Sequence, residues 1–413
     1  MTHAKLNREL HIKYWQRCLN SLLPTGYTTT DSTRMSLGYF ILSALDILSA
    51  PPLPSAQRTQ IRNWILCCQH PSGGFCGSPN HKFPDAYYGD GKEEMDPANL
   101  PATLFALMSL GFVGRMEEVK RVKCLRWLKS LQRDDGSFGE LVRQGRIEGG
   151  RDMRYCFVAV SVRWLLRGYI KIDSVEDIDI EALVAHIRAG QTFDGGVSES
   201  SQHEAHAGYT YCAIACLSLL GRLPHSSGAQ TDSEISPGLT NISGTIRWLV
   251  SRQLQYHNED DNSDDEGPGF EQSQNTGICA NTEPPLESLL INENMFVGFN
   301  GRVNKRADTC YAFWVVASLS MIGEVELVDP EPMRRFLTEL TQHQIGGFGK
   351  CPGNPPDIYH SYLGLAALAT LGEADLKQFD ATLCISVEQR QRLEILGEEA
   401  LTSRNYTCFS REE

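Results

Sequence analysis

The sequence predicts an all-α protein built from repeated helix pairs, and three observations carry that prediction. Glycine-aromatic turns recur along the chain, the intervals between them are nearly regular, and each interval holds two apolar segments long enough for helices. The first turn is Gln69-His70-Pro71-Ser72-Gly73-Gly74-Phe75 and the second is Gln132-Arg133-Asp134-Asp135-Gly136-Ser137-Phe138-Gly139. Three more follow: Phe193-Asp194-Gly195-Gly196-Val197, Val297-Gly298-Phe299-Asn300-Gly301 and Ile345-Gly346-Gly347-Phe348-Gly349. Measured at the aromatic or valine position, the steps are 63, 59, 102 and 49 residues. Roughly 45 inserted residues, near positions 225–235 and 258–292, account for the long step and restore a period of about 50–60.

Within each period the glycines supply the positive φ that lets a helix stop and the chain reverse in a few residues. Leu104-Phe105-Ala106-Leu107-Met108-Ser109-Leu110 and Ala159-Val160-Ser161-Val162-Arg163-Trp164-Leu165-Leu166 are examples of the apolar segments between turns. Helix pairs of this length cannot bury their faces alone, so they stack or close on their neighbours. An open solenoid and a closed ring both satisfy the pattern.

The chain has 413 residues, 41% of them hydrophobic and 22% charged, which is ordinary for a globular protein. No apolar run reaches the roughly 18–20 residues of a membrane span, and Met1-Thr2-His3-Ala4-Lys5 lacks a signal-peptide core, so a cytoplasmic protein without a transmembrane segment is expected. Thirteen cysteines, odd in number and irregular in spacing, read as reduced thiols; Cys212 and Cys216 lie inside an apolar segment. A net charge of −13 argues against a nucleic-acid partner. Much of that charge is local, at Glu259, Asp260, Asp261, Asp264, Asp265 and Glu266. Asp260-Asp261-Asn262-Ser263-Asp264 has the spacing of a magnesium-diphosphate motif, but such a motif must face a cavity from a helix, and these residues stand among helix breakers. The stretch is expected to be a solvated acidic insertion, at about 258–292, in a single domain covering 1–413.

The densest chemistry lies at Gly301-Arg302-Val303-Asn304-Lys305-Arg306-Ala307-Asp308-Thr309-Cys310-Tyr311-Ala312-Phe313-Trp314, followed by His360 in Pro356-Asp357-Ile358-Tyr359-His360-Ser361-Tyr362. Asp, Cys and His are zinc ligands, and three of them leave the fourth tetrahedral position open, as catalytic zinc sites do. Asp308 and Cys310 are two apart and cannot share a face in mid-helix, but both can converge where a loop enters a helix. Taken alone, Asp308 reads equally as a helix cap before a buried cysteine. Arg302, Lys305 and Tyr311 beside the pair add the donors of an anion site.

With these motifs in this order, the chain from Arg34-Met35-Ser36-Leu37 to the His360 helix resembles the β subunits of the protein prenyltransferases, geranylgeranyltransferase type I above all. The resemblance implies an α/α toroid, with inner helices lining a central funnel and outer helices around it. It implies zinc on Asp308, Cys310 and His360, and an isoprenoid diphosphate held by His206, Arg302, Lys305 and Tyr311. His206 stands in Glu204-Ala205-His206-Ala207-Gly208-Tyr209. The lipid pocket is expected at Ser36, Arg154, Gly208, Cys212 and Trp314. Lys350 falls where farnesyl- and Rab-type relatives carry an aspartate associated with magnesium, so a lysine there implies that magnesium is not required.

The implied reaction joins a protein thiol to an allylic diphosphate. A free thiol has a pKa near 8.5 and coordination deprotonates it, while preorganised cations balance the charge growing on the leaving diphosphate. Farnesyl-type relatives close the pocket with tryptophan where this chain has Ser36, so the small residue implies the twenty-carbon donor, geranylgeranyl diphosphate. The expected substrates are Cys-a-a-X proteins with leucine last, such as Rho/Rac-type small GTPases, and the expected partner is a helical-repeat α subunit. Phe157 and Asn99-Leu100-Pro101 depart from the family pattern near the peptide. A triterpene cyclase would share the architecture but needs an Asp-x-Asp-Asp motif that the sequence lacks, and the intact set of metal and diphosphate positions argues against an inactive scaffold.

Overall fold

The computed structural model describes residues 5–88, 98–168, 175–223, 238–256 and 296–407. The acidic insertion at about 258–292, the Asp260 motif within it and the segment near 225–235 lie outside the described residues. Among the described residues, helices α2 (Arg34–Ile47), α4 (Leu100–Val113), α6 (Met153–Arg167), α8 (Ala207–Leu219), α10 (Thr309–Ile322) and α12 (Ile358–Thr370) alternate with α1 (Arg8–Asn20), α3 (Ser55–Cys67), α5 (Arg121–Ser130), α7 (Ile180–Ala189), α9 (Ile242–Val250) and α11 (Pro330–Arg335). Each even-numbered helix packs on the next, and α12 packs back on α2. The chain therefore closes into a toroid instead of an open solenoid.

Composition separates the two rings. Helix α4 buries Leu100, Leu104, Leu107 and Leu110 together with Ala102, Ala106 and Met108, so it is covered on nearly every side. Helices α8 and α10 are buried in the same way. In contrast, α7 buries only Leu183, Val184 and Ile187, the single stripe of an outer helix. The inner helices all run the same way. At one rim, first-turn amides donate to the turn that follows in the next repeat: Met35 N to Gly77 O at 3.0 Å, Leu100 N to Glu140 O at 2.8 Å, Ala207 N to Gly301 O at 2.9 Å and Thr309 N to Lys350 O at 2.9 Å.

The repeated turns act as staples. Each begins with a glutamine paired antiparallel to the aromatic or valine position, Gln69 with Phe75, Gln132 with Phe138, Gln191 with Val197 and Gln342 with Phe348. The second turn runs on into a short hairpin of strands β1 (Leu141–Arg143) and β2 (Arg146–Glu148), and in the long repeat the same pairing is Gln253 with Phe299, the ends of strands β3 (Gln253–Tyr256) and β4 (Phe296–Phe299). The 102-residue step thus ends in the same kind of turn, with the stretch at about 258–292 lying in sequence between its two arms. The glutamine side chains reach the start of the next outer helix: Gln132 accepts from Asp179 N at 2.7 Å and donates to Asp179 O at 2.8 Å, and Gln342 accepts from Asn7 N at 2.9 Å. Since Asn7 caps α1, the last staple joins the end of the ring to its beginning.

The turn glycines make the approach possible. A Cβ on Gly136 would fall 2.1 Å from Ala182 O, one on Gly195 2.3 Å from Gly244 C, and one on Gly346 2.3 Å from Leu10 O. The closed end of the toroid is filled by residues 379–386, the hairpin of β5 (Phe379–Asp380) and β6 (Ile385–Ser386). Tyr39 and Tyr211 donate to backbone carbonyls of Cys384 and Ala381, at 3.0 and 2.9 Å, and Tyr362 also donates to Cys384 O. Helix α13 (Val387–Thr407) then packs across α4 and α6. No helix among the described residues is long and apolar enough to cross a membrane.

Two predictions concern this frame. Gly136 and Gly372 both take a positive φ, +84° and +80°, but a Cβ on Gly372 meets nothing within 4 Å. Each alanine substitution costs about 1–2 kcal/mol for the left-handed backbone, and Gly136→Ala alone adds the collision with α7. Thermal unfolding should therefore be lowered clearly more by Gly136→Ala than by Gly372→Ala; equal shifts would show that the close approach is unimportant.

The second concerns His11, fully buried at the closure, which accepts from Gly347 N at 3.2 Å through Nδ1 and, through Nε2, donates to Gln342 Oε1 at 3.0 Å. Burial, partly offset by the Gln342 bond, lowers its pKa to about 4. A folded-state pKa below the unfolded value of about 6.5 gives stability that is complete above pH 6.5 and is lost as the pH falls toward 4, up to about 3 kcal/mol. In urea titrations at pH 7 and pH 4.5, His11→Asn should lose less stability between the two than the unmodified chain does.

Candidate active site

Because the inner helices are parallel, their caps gather at one rim, and the predicted residues stand at or just inside those caps. Asp308 is the cap of α10: its extended backbone, φ −144° and ψ 138°, turns the carboxylate back to accept from Cys310 N at 2.8 Å. That geometry brings together two residues that could not share a face further along the helix. Asp357 caps α12 in the same way, accepting from His360 N at 2.9 Å, while its second oxygen holds His360 Nδ1 at 2.6 Å. The imidazole is thereby oriented with Nε2 toward Asp308 Oδ1, 3.3 Å away. The ligand atoms of Asp308, Cys310 and His360 all lie within 4.8 Å of one another.

The electrostatics of this group favour a cation. Burial opposes charge on His360, but the two carboxylates outweigh it and raise the pKa to about 9. Burial would raise Asp308 as well, yet its bonds to His360 and Cys310 hold it below the usual carboxylate range. The Cys310 thiol is pushed well up by burial and by the charge of Asp308. Asp357 was missing from the sequence reading, although the spacing Asp-x-x-His at a helix start is the signal that places a cap carboxylate against a third-residue side chain. The 3.3 Å between His360 Nε2 and Asp308 Oδ1 is an ion-pair contact, and the wider set of ligand atoms, within 4.8 Å, is a group that could hold a metal ion.

The second group lies on the other side of α10, against α8. His206 caps α8, accepting from Gly208 N at 3.0 Å through Nδ1, so Nε2 carries the proton toward the Tyr311 hydroxyl, 3.1 Å away. Burial lowers its pKa to about 4, with Arg302 and Arg154 adding to the effect, so the ring is neutral at pH 7. Burial and the neighbouring Cys310 raise Tyr311 to about 12, which keeps its hydroxyl protonated. Gly301 is required here, since a Cβ would lie 2.0 Å from the Tyr311 ring. Arg302 follows it and pairs with Glu204 at 3.3 Å on the open rim. Asn300 braces the loop by donating to Lys305 O at 3.0 Å, and the Lys305 side chain is exposed. Lys350 is also exposed, with its backbone tied to Thr309 between the two metal-side residues of α10.

The remaining predicted residues stand on the inner helices α2, α6, α8 and α10. Trp314, one turn beyond Cys310, packs against Tyr211 and Phe313 with ring centroids 4.8 and 5.1 Å away. On α8, Gly208 is half-buried and Cys212 buried, and burial raises the Cys212 pKa. Arg154, in the first turn of α6, is exposed, bound to Asp152 at 2.8 and 3.0 Å and lying over the Tyr209 ring at 5.4 Å. Ser36 is half-buried in the first turn of α2. One turn later Phe40 meets Phe105 at 5.6 Å, Tyr362 at 5.0 Å and Tyr359 at 6.2 Å. Tyr359, which sequence reasoning passed over, keeps 39% of its surface open beside His360. A cavity of about 540 Å³ lies elsewhere, between α1, α3 and the face of α2 formed by Leu37, Ile41 and Leu42; geometry and charge put the chemistry at the funnel rim instead.

The prenyltransferase alpha-alpha toroid domain family matches residues 6–385. The geranylgeranyl transferase type-1 subunit beta of Arabidopsis thaliana is 31% identical over 90% of this chain and 87% of its own length. The subunit of the same name from Dictyostelium discoideum is 29% identical over 88% and 90%. In three dimensions the chain is similar to a solved structure of Candida albicans protein geranylgeranyltransferase-I complexed with GGPP, with a TM-score of 0.72 and 28% identity over 94% of this chain and 98% of that one. By sequence and by fold, the chain belongs to the prenyltransferase alpha-alpha toroid domain family.

Proposed function

We propose that the chain is the catalytic β subunit of a protein geranylgeranyltransferase type I, transferring a geranylgeranyl group to the cysteine of Cys-a-a-X proteins. The observation that carries the reading is the placing of Asp308, Cys310 and His360 within 4.8 Å of one another on one side of α10, with His206, Tyr311 and Arg302 on the other. A carboxylate, a thiolate and an imidazole whose Nδ1 is held by Asp357 fit one zinc ion with a position left open. Bound there, zinc supplies the Lewis acidity that makes an incoming cysteine a thiolate near neutral pH.

In the transfer, a carbon–sulfur bond forms at the first carbon of the isoprenoid while its carbon–oxygen bond breaks, and diphosphate leaves with the electron pair. The neutral His206 and Tyr311 orient each other, and Arg302 and Lys305 stand on the loop beside them to meet the phosphate oxygens. Lys350 supplies positive charge where relatives use magnesium, so zinc is the only metal the reaction needs. The interior formed by Phe40, Phe105, Tyr359 and Trp314 suits an apolar chain. Ser36 leaves room for twenty carbons, and burying five more carbons than a farnesyl chain favours the longer donor by up to about 4 kcal/mol. The partners on this reading are a prenyltransferase α subunit and cytoplasmic proteins ending in Cys-a-a-Leu, Rho/Rac-type GTPases among them.

The test is co-expression with an α subunit, metal analysis and turnover of a Cys-a-a-Leu peptide with geranylgeranyl diphosphate. About one zinc per β subunit is expected, lost with activity to a chelator and restored with it; full turnover by metal-free heterodimer would end the proposal. For chain length, Ser36→Trp should move donor preference toward farnesyl diphosphate, because overlap with the last isoprene unit costs more than its burial returns. A donor preference unchanged by that substitution would remove Ser36 from the pocket.

A further inference from the structure

We infer that Thr309 is a positioning residue that locks the cation at Lys350 to the metal side of the site; the inference rests on the function proposed above. At the rim, the junction between an inner helix and the following turn uses one amide bond, from Met35 to Gly77, Leu100 to Glu140, Ala207 to Gly301 and Thr309 to Lys350. Methionine, leucine and alanine add nothing to the first three. At the fourth, the fully buried Thr309 hydroxyl donates a second bond, to Gly349 O at 2.7 Å. A third contact runs from Cys351 Sγ to Ala307 O at 3.5 Å. Residues 349–351 are therefore laced to 307–309 at every step.

Of these four junctions, the doubled bond falls at the one whose accepting residue is a cation. Gly349 sits in a tight turn, where a Cβ would lie 2.4 Å from Asn354 O, and the turn projects Lys350 outward. A lysine ammonium on a flexible four-carbon stem gains directional precision only from the backbone beneath it. Thr309 fixes that backbone relative to Asp308 and Cys310, its two neighbours in sequence. At the first and third junctions the added contacts join side chains, Ser78 to Asp31 at 2.8 Å and Arg302 to Glu204 at 3.3 Å; the Thr309 hydroxyl instead holds turn backbone, so it serves the placing of charge near the departing diphosphate, where an error of about 1 Å costs up to about a hundredfold in rate.

The experiment measures the single-turnover rate of thioether formation from geranylgeranyl diphosphate and a Cys-a-a-Leu peptide, in the heterodimer co-expressed with an α subunit. Thr309→Val should slow it about tenfold, Thr309→Ser should restore most of the rate, and zinc content should stay unchanged. In a Lys350→Ala background, itself slowed, Thr309→Val should add no further loss. Equal slowing in both backgrounds, an unchanged rate in Thr309→Val, or loss of zinc would overturn the inference while leaving the proposed reaction in place. If Lys350→Ala leaves the rate unchanged, the role given to Lys350 falls and the inference falls with it. Thr309→Ala, which removes the hydroxyl without setting a methyl against Gly349 O, gives the same readout should the valine protein not fold.

Discussion

The grip of a turn glutamine on the next outer helix is the interaction from which the rest of this molecule follows. Gln132 bonds both backbone groups of Asp179, Gln191 accepts from Thr240 N and Asn241 N at 3.1 and 3.2 Å, and Gln342 accepts from Asn7 N. Asp179, Asn241 and Asn7 are the caps of α7, α9 and α1. Each bond is worth about 1 kcal/mol, a small amount beside the burial of the inner helices. Its importance is directional: it sets where each outer helix begins, and the glycine beside it lets the backbones touch. Repetition of one such angle produces closure, and closure puts α12 against α2.

Closure has a chemical consequence. Parallel inner helices bring their N-terminal amides to one rim, and those orphan donors must be satisfied. The residues that satisfy them here are Asn99, Asp152, His206, Asp308 and Asp357. In His206 and Asp357, capping uses one acceptor atom and leaves the other available. His206 caps with Nδ1 and presents Nε2–H; Asp357 caps with one oxygen and orients His360 with the other. In these two residues folding and site geometry draw on different atoms, whereas in Asp308 the one oxygen Oδ1 both caps α10 and faces His360 Nε2.

This shared use explains what could be read in advance. The turns, their period and the paired helices were legible because glycine spacing records backbone geometry directly. The glutamines were visible as a recurring letter, but their long-range partners lie 47–74 residues away or, for Gln342, at the other end of the chain. The long step was assigned to inserted residues near 225–235 and 258–292, and the β3–β4 pairing shows that Tyr256 and Phe296, on either side of the second stretch, are partners in one turn. The choice of a closed ring came from family resemblance, since no local pattern encodes the return of α12 to α2. Asp308, Cys310, Tyr311 and His360 stood out by residue type. Asp357 and Tyr359 did not, because a cap aspartate and an aromatic beside a histidine are common, and their meaning depends on what the ring sets opposite them.

The spacing of the two chemical groups follows from helix geometry. Successive residues in an α-helix point about 100° apart, so Cys310 and Tyr311, though adjacent, face different neighbours. Cys310 joins His360 of α12, and Tyr311 joins His206 of α8. Helix α10 is therefore the wall between a group suited to a cation and a group suited to an anion, and their separation is set by the packing distance of inner helices, about 8–10 Å. On the proposed reaction, a sulfur at the first group must reach a carbon whose departing oxygen is held at the second, which it could not do if the two were much farther apart. A one-residue shift of α10 would break the metal set and the His206–Tyr311 pair together, which is why its start is held by the Asp308 cap, by the Thr309 bonds to Gly349 and Lys350, and by the packing of Tyr311 on Gly301.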